Sequence, residues 1–442
     1  MHQNISFSLL TSSLEGMVDK SGLIFLIKKK MGCTSSKLQK KKMNISEVVV
    51  FVPTLQIPVP SDLLKPLKGF IPKDLIDRLV SLRNRIILLS EDTDVSAISE
   101  IKQGLEEYLP VLLGLTTKDC GALEAVQFKW RTLDGRQEIC VSNSWFEVLS
   151  VVYMLAVLTL VEANILLVPK HCANSSERIV STADCQRDAI DLLLKASGYL
   201  DFCVKNILPK LSSEIKNKLH KDMREGALEA LSLQVLGQGT ELQLGLAIEN
   251  QKATLSVKRR LACEQLTYFT QAHYALTGGK ESDGGKQSLF IKYKFLQSKA
   301  AAYFYHGIIL DKGSEPMSHI QAVCSLVAAE ELLTESRKAC LGFCLAAPVN
   351  RAPPLWGAMK HLQQKIPDTA SKKSQMYGYL LDQEKDLQPP PELPEFQLSL
   401  RPDDYMFPEI DTAFTKEKWE IQGQLLKEHL DDPEVEIIGT KS

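Results

Sequence analysis

A predominantly apolar run of fourteen residues, VLSVVYMLAVLTLV from Val148 to Val161, constrains the fold of this chain more than any other stretch. As a helix, the run would cross only about two-thirds of the hydrocarbon core of a bilayer. Glu147 and Glu162 bound it, and Ser144 with Glu147 three residues later has the pattern of a capping box that starts a helix. We therefore predict a central helix buried among other elements rather than a membrane span.

Long amphipathic segments make up most of the rest of the chain. In RDAIDLLLKASGYLDFCVKNIL, apolar residues recur at helical spacing from Ile190 to Leu208, before Pro209. Four similar segments follow: EALSLQVLGQGTELQLGLAIEN, LSVKRRLACEQLTYFTQAHYAL, FIKYKFLQSKAAAYFYHGIIL and HIQAVCSLVAAEELLTESRKACL. Small residues such as Ala300 and Gly307 at close-contact positions favour stacked antiparallel pairs. The sequence predicts a mainly α solenoid of tetratricopeptide-like helix pairs.

Strand periodicity occurs in the N-terminal third. In VQFKWRTLDGRQEICV, Val126, Phe128 and Trp130 alternate with polar residues before a turn at Asp134 and Gly135. This pattern predicts a small antiparallel β-hairpin. A β-branched, Pro-rich lead, VVVFVPTLQIPVP, fits an extended segment along the helices. A second Pro-rich segment, QPPPELPEFQLSLRPDDYMFPEI, is expected to dock along the helices as a strap.

These patterns divide the chain into three parts. Residues 1–45 form a leader, residues 46–415 form one domain that includes the Pro-rich strap, and residues 416–442 form a C-terminal helix with an acidic tail.

The leader contains a segment that reads like the beginning of a protein, MGCTSSKLQKKK from Met31 to Lys42. If translation begins at Met31, Gly32 becomes an N-myristoylation acceptor, with Ser36 at the position where the motif requires a small hydroxyl residue. Cys33 is placed for a second acyl chain, and four lysines add attraction to anionic lipids. We predict lipidation at Gly32 and Cys33; a chance Met-Gly pair in the leader is the alternative interpretation.

No motif for catalysis or metal binding is recognised. The net charge of −2 argues against a dedicated nucleic-acid binder, and the ten cysteines lack paired spacing, which favours free thiols in a reducing cytosol. The segments TGGKES and DGGKQS lack the first glycine and the final Ser or Thr of a phosphate loop. Gly237 and Gly239 lie in a helical pattern and favour a packing or kink site over a cofactor turn. We predict no enzyme activity, cofactor or metal.

The order of these features resembles the Bro-one domain of the Alix-like ESCRT adaptors over roughly residues 46 to 400. The similar pieces are FKW with its hairpin, SWFEVLSVVYMLA, AIDLLLKASGYLDFCVKNIL, LGQGTELQL and VKRRLACEQLTYF. The chain departs from the family at Gly237 and Gly239, where the family has alanines. The resemblance implies a curved, boomerang-shaped solenoid.

The resemblance also implies a function without catalysis. Bro-one domains dock the C-terminal amphipathic helix of an ESCRT-III filament subunit, of the charged multivesicular body protein class, in an apolar groove. The expected role is that of an endosomal adaptor in multivesicular body sorting and membrane remodelling, located in the cytoplasm and peripherally on endosomal or plasma membranes. The alternative is an α-solenoid scaffold of the same fold that binds a different protein partner at membranes.

The family's ligand-contact positions correspond to Val257 and Leu261, which lie four residues apart and hence on one helix face. Leu244 takes the third position, unless a one-residue shift selects Gln243 instead. Lys258 and Arg259 would form a basic edge beside these anchors and meet acidic residues of a partner helix. The alternative interpretation is that all three apolar residues belong to the core of stacked helices.

Overall fold

This computed structural model describes residues 48–91, 97–168, 170–171, 178–179, 183–278, 285–354, 356–381 and 389–414. These residues contain twelve α-helices, one π-helix (Cys203–Ile207), three 3-10 helices (Leu208–Lys210, Lys221–Met223 and Thr412–Phe414) and five short strands. The helices are α1 (Leu64–Leu67), α2 (Lys73–Glu91), α3 (Ala97–Gly114), α4 (Ser144–Leu167), α5 (Ala183–Phe202), α6 (Ser213–Lys218), α7 (Glu225–Glu249), α8 (Leu255–Thr277), α9 (Lys286–Leu310), α10 (Pro316–Leu345), α11 (Met359–Met376) and α12 (Gly378–Leu381). The strands are β1 (Gln56–Val59), β2 (Phe128–Thr132), β3 (Glu138–Val141), β4 (Lys170–His171) and β5 (Arg178–Ile179).

Neighbouring long helices pack against each other in sequence. α3 packs on α4, α4 on α5, α5 on α7, α7 on α8, α8 on α9, and α9 on α10. Short connections join α7 to α8 and α9 to α10, so these pairs run antiparallel. The mainly α solenoid of stacked helix pairs is therefore confirmed.

A three-stranded antiparallel sheet lies on the N-terminal helices, with strand order β1-β2-β3. In β2, Phe128 and Trp130 are buried and face the core, while the alternate residues Lys129 and Arg131 are half-buried. The hairpin is confirmed, and Gly135 takes a φ of 71° in its turn. The Pro-rich lead contributes β1 as a third strand, which the sequence predicted only as an extended segment.

Helix α4 is the core helix of the fold. Among the described residues it is the one helix long and apolar enough to cross a membrane, and 83% of its most apolar window is buried inside the protein. The prediction of a buried central helix is confirmed.

The capping box predicted for α4 is wrong. Asn143 is the N-cap, and its side chain accepts a hydrogen bond of 2.9 Å from the backbone N–H of Trp145. Ser144 is the first helical residue. A capping box also needs Glu147 to bend back to the N-cap, but its carboxylate binds side chains of other elements.

Those side chains form a buried polar cluster around Glu147. The carboxylate accepts hydrogen bonds from Arg83 Nε at 2.9 Å and from Trp130 Nε1 at 2.6 Å. Tyr108 donates a third bond at 3.3 Å. Burial lowers the pKa of Arg83, but the charges and hydrogen bonds of Glu147 and Tyr108 together outweigh burial, so the pKa is raised. One carboxylate thus joins α2, α3, α4 and β2.

The strap, residues 389–414, runs as extended chain across the helices in the reverse of their chain order. It contacts α8 through Ser399 and Leu400, α5 through Asp403, Tyr405 and Phe407, α4 through Phe407, α2 through Asp411, and α3 through Asp411 and Phe414. A Cβ atom at Gly198 of α5 would lie 2.4 Å from the carbonyl oxygen of Asp403, so glycine is required at this crossing. The strap is docked, as predicted.

We expect Glu147→Gln to lower the free energy of unfolding by about 3–5 kcal/mol, because it leaves the buried Arg83 cation without a counter-charge. Glu107→Gln is the matched control, since the Arg85–Glu107 pair is 44% and 40% exposed, and we expect it to cost less than about 1 kcal/mol. Urea unfolding measures both. If the two variants lose the same free energy of unfolding, the buried Glu147 cluster does not stabilise the fold as we infer.

Candidate partner-binding site

The candidate site lies in the first turns of α8. Thr254 is the N-cap of this helix, and its hydroxyl accepts a hydrogen bond of 3.3 Å from the backbone N–H of Val257. This cap ends the short connection from α7 and starts α8. Residues 255–261 therefore lie at one end of the helix.

Val257 and Leu261 lie on one face of α8. Val257 is 46% exposed. Leu261 is half-buried and packs at the edge of an apolar cluster between α7, α8, α9, α10 and α11. The pair forms a small apolar surface with Val257 as its exposed part. We call Val257 and Leu261, together with the neighbouring Lys258 and Arg259, the α8 site.

Leu244 is not part of this surface. It is completely buried, in the same apolar cluster as Ala262, Ala300 and Leu326. Its burial follows from the helices packed around it, and Leu261 of the α8 site packs against the same cluster. The predicted contact of Leu244 with a partner stays a prediction. The alternative position, Gln243, is half-buried.

Basic side chains flank the two anchors. Arg260 pairs with Glu264 at 2.6 Å. Arg259 Nη1 lies 3.4 Å from Nδ1 of His306, and its guanidinium is 6.0 Å from the centre of the Phe396 ring. Arg259 Nε is buried and has no hydrogen-bond partner in the described part of the chain. Among the described residues, neither Lys258 nor Arg259 forms an ion pair, so both charges are available to an acidic ligand.

His306 on α9 is neutral in this arrangement. Burial lowers its pKa, and the positive charge of Arg259 lowers it further. The hydrogen bond from Arg259 also requires an unprotonated Nδ1. Protonation would remove this bond and place a second cation beside the guanidinium.

The strap ends the α8 site on one side. Val257, Leu261, Glu264 and Tyr268 follow each other at the spacing of one helical stripe, which we call the α8 stripe. Ser399 donates its backbone N–H to Glu264 at 3.0 Å, and the Tyr268 hydroxyl donates to the carbonyl of Leu400. The strap therefore covers the second half of the stripe. The sequence analysis did not predict that the strap covers this half of the stripe. The one feature of the sequence that indicates it is the change from apolar to polar residues along the stripe.

Gly237 and Gly239 form a packing site, as predicted. A Cβ atom at Gly237 would lie 3.0 Å from the ring of Phe269, and one at Gly239 would lie 3.1 Å from the side chain of Leu400. These glycines let α7 approach α8 and the strap closely. The predicted lipidation residues Gly32 and Cys33, and the C-terminal residues 416–442, lie outside the described residues.

Comparison with known families decides the identity of the fold. The family model of the BRO1-like domain matches residues 71–377. The chain belongs to the BRO1-like domain family. A comparison of this BRO1-like domain with curated proteins finds no match.

Solved structures share the fold of this BRO1-like domain. A Bro1 domain, solved as the structural basis of endosomal targeting, matches with a TM-score of 0.54 and 14% identity, covering 86% of this chain and 98% of that chain. The ALIX BRO1 domain in complex with CHMP4C matches with a TM-score of 0.56 and 16% identity, covering 82% and 99%. ALIX in complex with the SIVmac239 PYKEVTEDL late domain matches with a TM-score of 0.60 and 16% identity, covering 86% and 53%. At such identities the likeness shows the fold.

We expect the pH dependence of stability to report on His306. Its folded-state pKa is lowered, so the unfolded chain binds this proton first as the pH falls below about 6.5. The contribution of His306 to the free energy of unfolding is therefore fully present above that pH and decreases below it.

His306→Gln, whose amide oxygen can still accept a hydrogen bond from Arg259, should reduce the loss of stability between pH 7.5 and 5.5. Urea unfolding at both pH values measures this, with His273→Gln, exposed on α8, as the control. If His306→Gln loses as much stability between pH 7.5 and 5.5 as the unchanged chain, the prediction is wrong.

Proposed function

We propose that this BRO1-like domain is a non-enzymatic endosomal adaptor that docks the C-terminal amphipathic helix of an ESCRT-III filament subunit, of the charged multivesicular body protein class. It would act in multivesicular body sorting and membrane remodelling. The observation that carries the proposal is the uncovered apolar pair Val257 and Leu261 beside two cations, Lys258 and Arg259, that have no acidic partner among the described residues.

The solved relatives support this proposal. One is the ALIX BRO1 domain bound to CHMP4C, and another Bro1 domain was solved as the basis of endosomal targeting. An amphipathic helix suits the α8 site because its apolar face can cover the two anchors while acidic residues at its edge meet the cations. Charge complementarity of this kind raises the association rate and selects the register of the partner.

The α8 site predicts weak binding. Each anchor can contribute at most about 1.5–3 kcal/mol on full burial. Association costs at least about 4 kcal/mol, so two anchors alone leave little net free energy. The contacts of Lys258 and Arg259 are then needed to reach micromolar affinity, and we expect this affinity to fall as the salt concentration rises.

We expect Val257→Asp and Leu261→Asp to abolish binding of the ESCRT-III C-terminal helix, because each places a carboxylate on the apolar contact surface. Val257→Asp is the sharper test, since Val257 is 46% exposed and the variant should fold normally. Leu88→Asp is the matched control, because Leu88 is 68% exposed on α2, away from the α8 site. Fluorescence anisotropy with a labelled helix measures binding, and circular dichroism checks the fold. A folded Val257→Asp that binds like the unchanged chain would refute the site.

Lipidation would supply peripheral membrane attachment. We propose that translation of the functional polypeptide begins at Met31, and that removal of this methionine lets Gly32 carry a myristoyl chain. One such chain binds membranes at only about 10⁴ M⁻¹, so stable attachment needs Cys33 acylation or the basic residues as well.

Intact-mass spectrometry of the native protein tests this prediction. We expect a chain that begins at Gly32 with the mass of a myristoyl group added, and we expect Gly32→Ala to remove both the acyl mass and most membrane association. Recovery of only the 442-residue chain with an unmodified internal Gly32 would contradict the prediction.

The burial of Leu244 supports a second candidate function. The α8 site has two accessible anchors where the family resemblance implies three, which suits a scaffold of the same fold that binds a different protein partner at membranes. A pulldown with the C-terminal helices of all ESCRT-III subunits separates the two candidates. Binding of none of them would favour the scaffold.

A further inference from the structure

The uncovered half of the α8 stripe has an unusual electrostatic setting. The strap covers Glu264 and Tyr268, whereas Val257 stays 46% exposed at the other end of the stripe. Among the residues that the structure describes, Arg259 Nε is buried without a hydrogen-bond partner, and His306, which lies beside the guanidinium, brings no negative charge to balance it. The surface therefore suits an occupant that brings both apolar side chains and negative charge.

The chain itself contains a segment with this chemistry, beyond the described end of the strap at Phe414. In a helix, Trp419, Leu426 and Leu430 would share one face, because they are separated by seven and four residues. Between Trp419 and Glu436 the sequence has six acidic residues and one lysine. We call residues 415–442 the tail.

We propose that the tail of one copy of the chain docks as an amphipathic helix on the α8 site of a second copy, with Trp419, Leu426 and Leu430 against Val257 and Leu261. The tail would then compete with any other helix that uses the α8 site. This competition rests on the proposed function, whereas the docking of the tail does not.

The path of the strap requires docking between copies rather than within one chain. Phe414 packs on Gly114 of α3, at the opposite end of the strap from α8. Four helix-to-helix steps, from α3 through α4, α5 and α7 to α8, separate the two ends, and the mostly extended strap needs the whole stretch from Leu400 to Phe414 to cover this path. The backbone from Phe414 to Trp419 extends no more than about 18 Å. A tail helix that starts at Trp419 therefore cannot place its anchors on the α8 site of its own chain.

Docking of this kind joins two different surfaces and is heterologous. Each copy has one tail and one α8 site, so two copies can exchange tails, or a series of copies can link head to tail. The tail supplies three apolar anchors and the α8 site two, so we expect self-association at micromolar concentrations. We also expect self-association to decrease strongly at high salt concentration.

Two variants of the full chain test the proposal by complementation. Leu426→Asp disables the tail and keeps the α8 site, whereas Val257→Asp disables the α8 site and keeps the tail. We expect sedimentation velocity between about 1 and 200 μM to show self-association of the unchanged chain, across the concentrations at which micromolar complexes form. Each variant alone should stay monomeric, and an equimolar mixture of the two should form a heterodimer and no larger species.

Two matched controls should self-associate like the unchanged chain. Gln424→Asp adds the same charge to the tail but lies off the face of the three anchors, and Leu88→Asp adds it to an exposed position on α2. Self-association of Val257→Asp or Leu426→Asp alone would overturn the proposal. A monomeric unchanged chain over the whole concentration range, or a mixture without heterodimer, would overturn it equally.

A binding experiment with the ESCRT-III helix separates this inference from the proposed function. At about 100 μM protein, a concentration in the self-association range, we expect Leu426→Asp to bind the labelled helix several-fold more tightly than the unchanged chain. Equal affinity of the two forms would overturn the competition. Binding to neither form, together with heterodimer formation in the mixture, would reject the ESCRT-III ligand and leave the tail docking supported.

Discussion

Glu147 of the core helix α4 makes the contacts that join this helix to the N-terminal sheet and to the first long helices. Its two carboxylate oxygens accept bonds from Arg83, Tyr108 and Trp130, which lie on three different elements. Arg83 also donates to the backbone carbonyls of Val59 and Lys129, so the guanidinium ties β1 to β2. A buried carboxylate needs such partners, because an unpaired charge in the interior is costly. The position of the sheet on α2, α3 and α4 therefore depends on one fully bonded acid.

A second buried pair has a similar role in the C-terminal half. Lys294 of α9 lies 3.0 Å from Glu241 of α7, and the ring of Trp356 lies 4.5 Å from the Lys294 amine. Burial raises the pKa of Glu241, and the lysine opposes this shift. The Trp356–Gly357 turn is held against α7 by these contacts.

The strap connects the two halves and defines the limits of the α8 site. Because it crosses α8, α7, α5, α4 and α3 in turn, its extended backbone binds side chains and carbonyls of helices that are distant in sequence. On α8 it covers the polar part of a stripe and leaves the apolar part open. A site with two anchors, and with two cations that form no ion pair among the described residues, suits weak, exchangeable docking of acidic helices. That property underlies both the proposed adaptor role and the proposed exchange of tails.

The sequence by itself determined the elements whose information is local. Apolar periodicity predicted the long helices, the fourteen-residue run predicted a buried core helix, and alternation with Asp134 and Gly135 predicted the hairpin. The position of Val257 and Leu261 on a common face also follows from their spacing. Tertiary structure decided whether each face is covered: Leu244 is buried in a cluster with Ala262 and Ala300 of neighbouring helices, and Glu264 binds Ser399 of the strap. It also decided that Glu147 binds Arg83 and Trp130 instead of capping its own helix.

These outcomes depend on residues that lie far apart along the chain. Glu147 is 17 residues from Trp130 and 64 residues from Arg83, and Glu264 is 135 residues from Ser399. Periodicity within one helix specifies which side chains share a face, but the exposure of that face depends on the distant segments that pack against it.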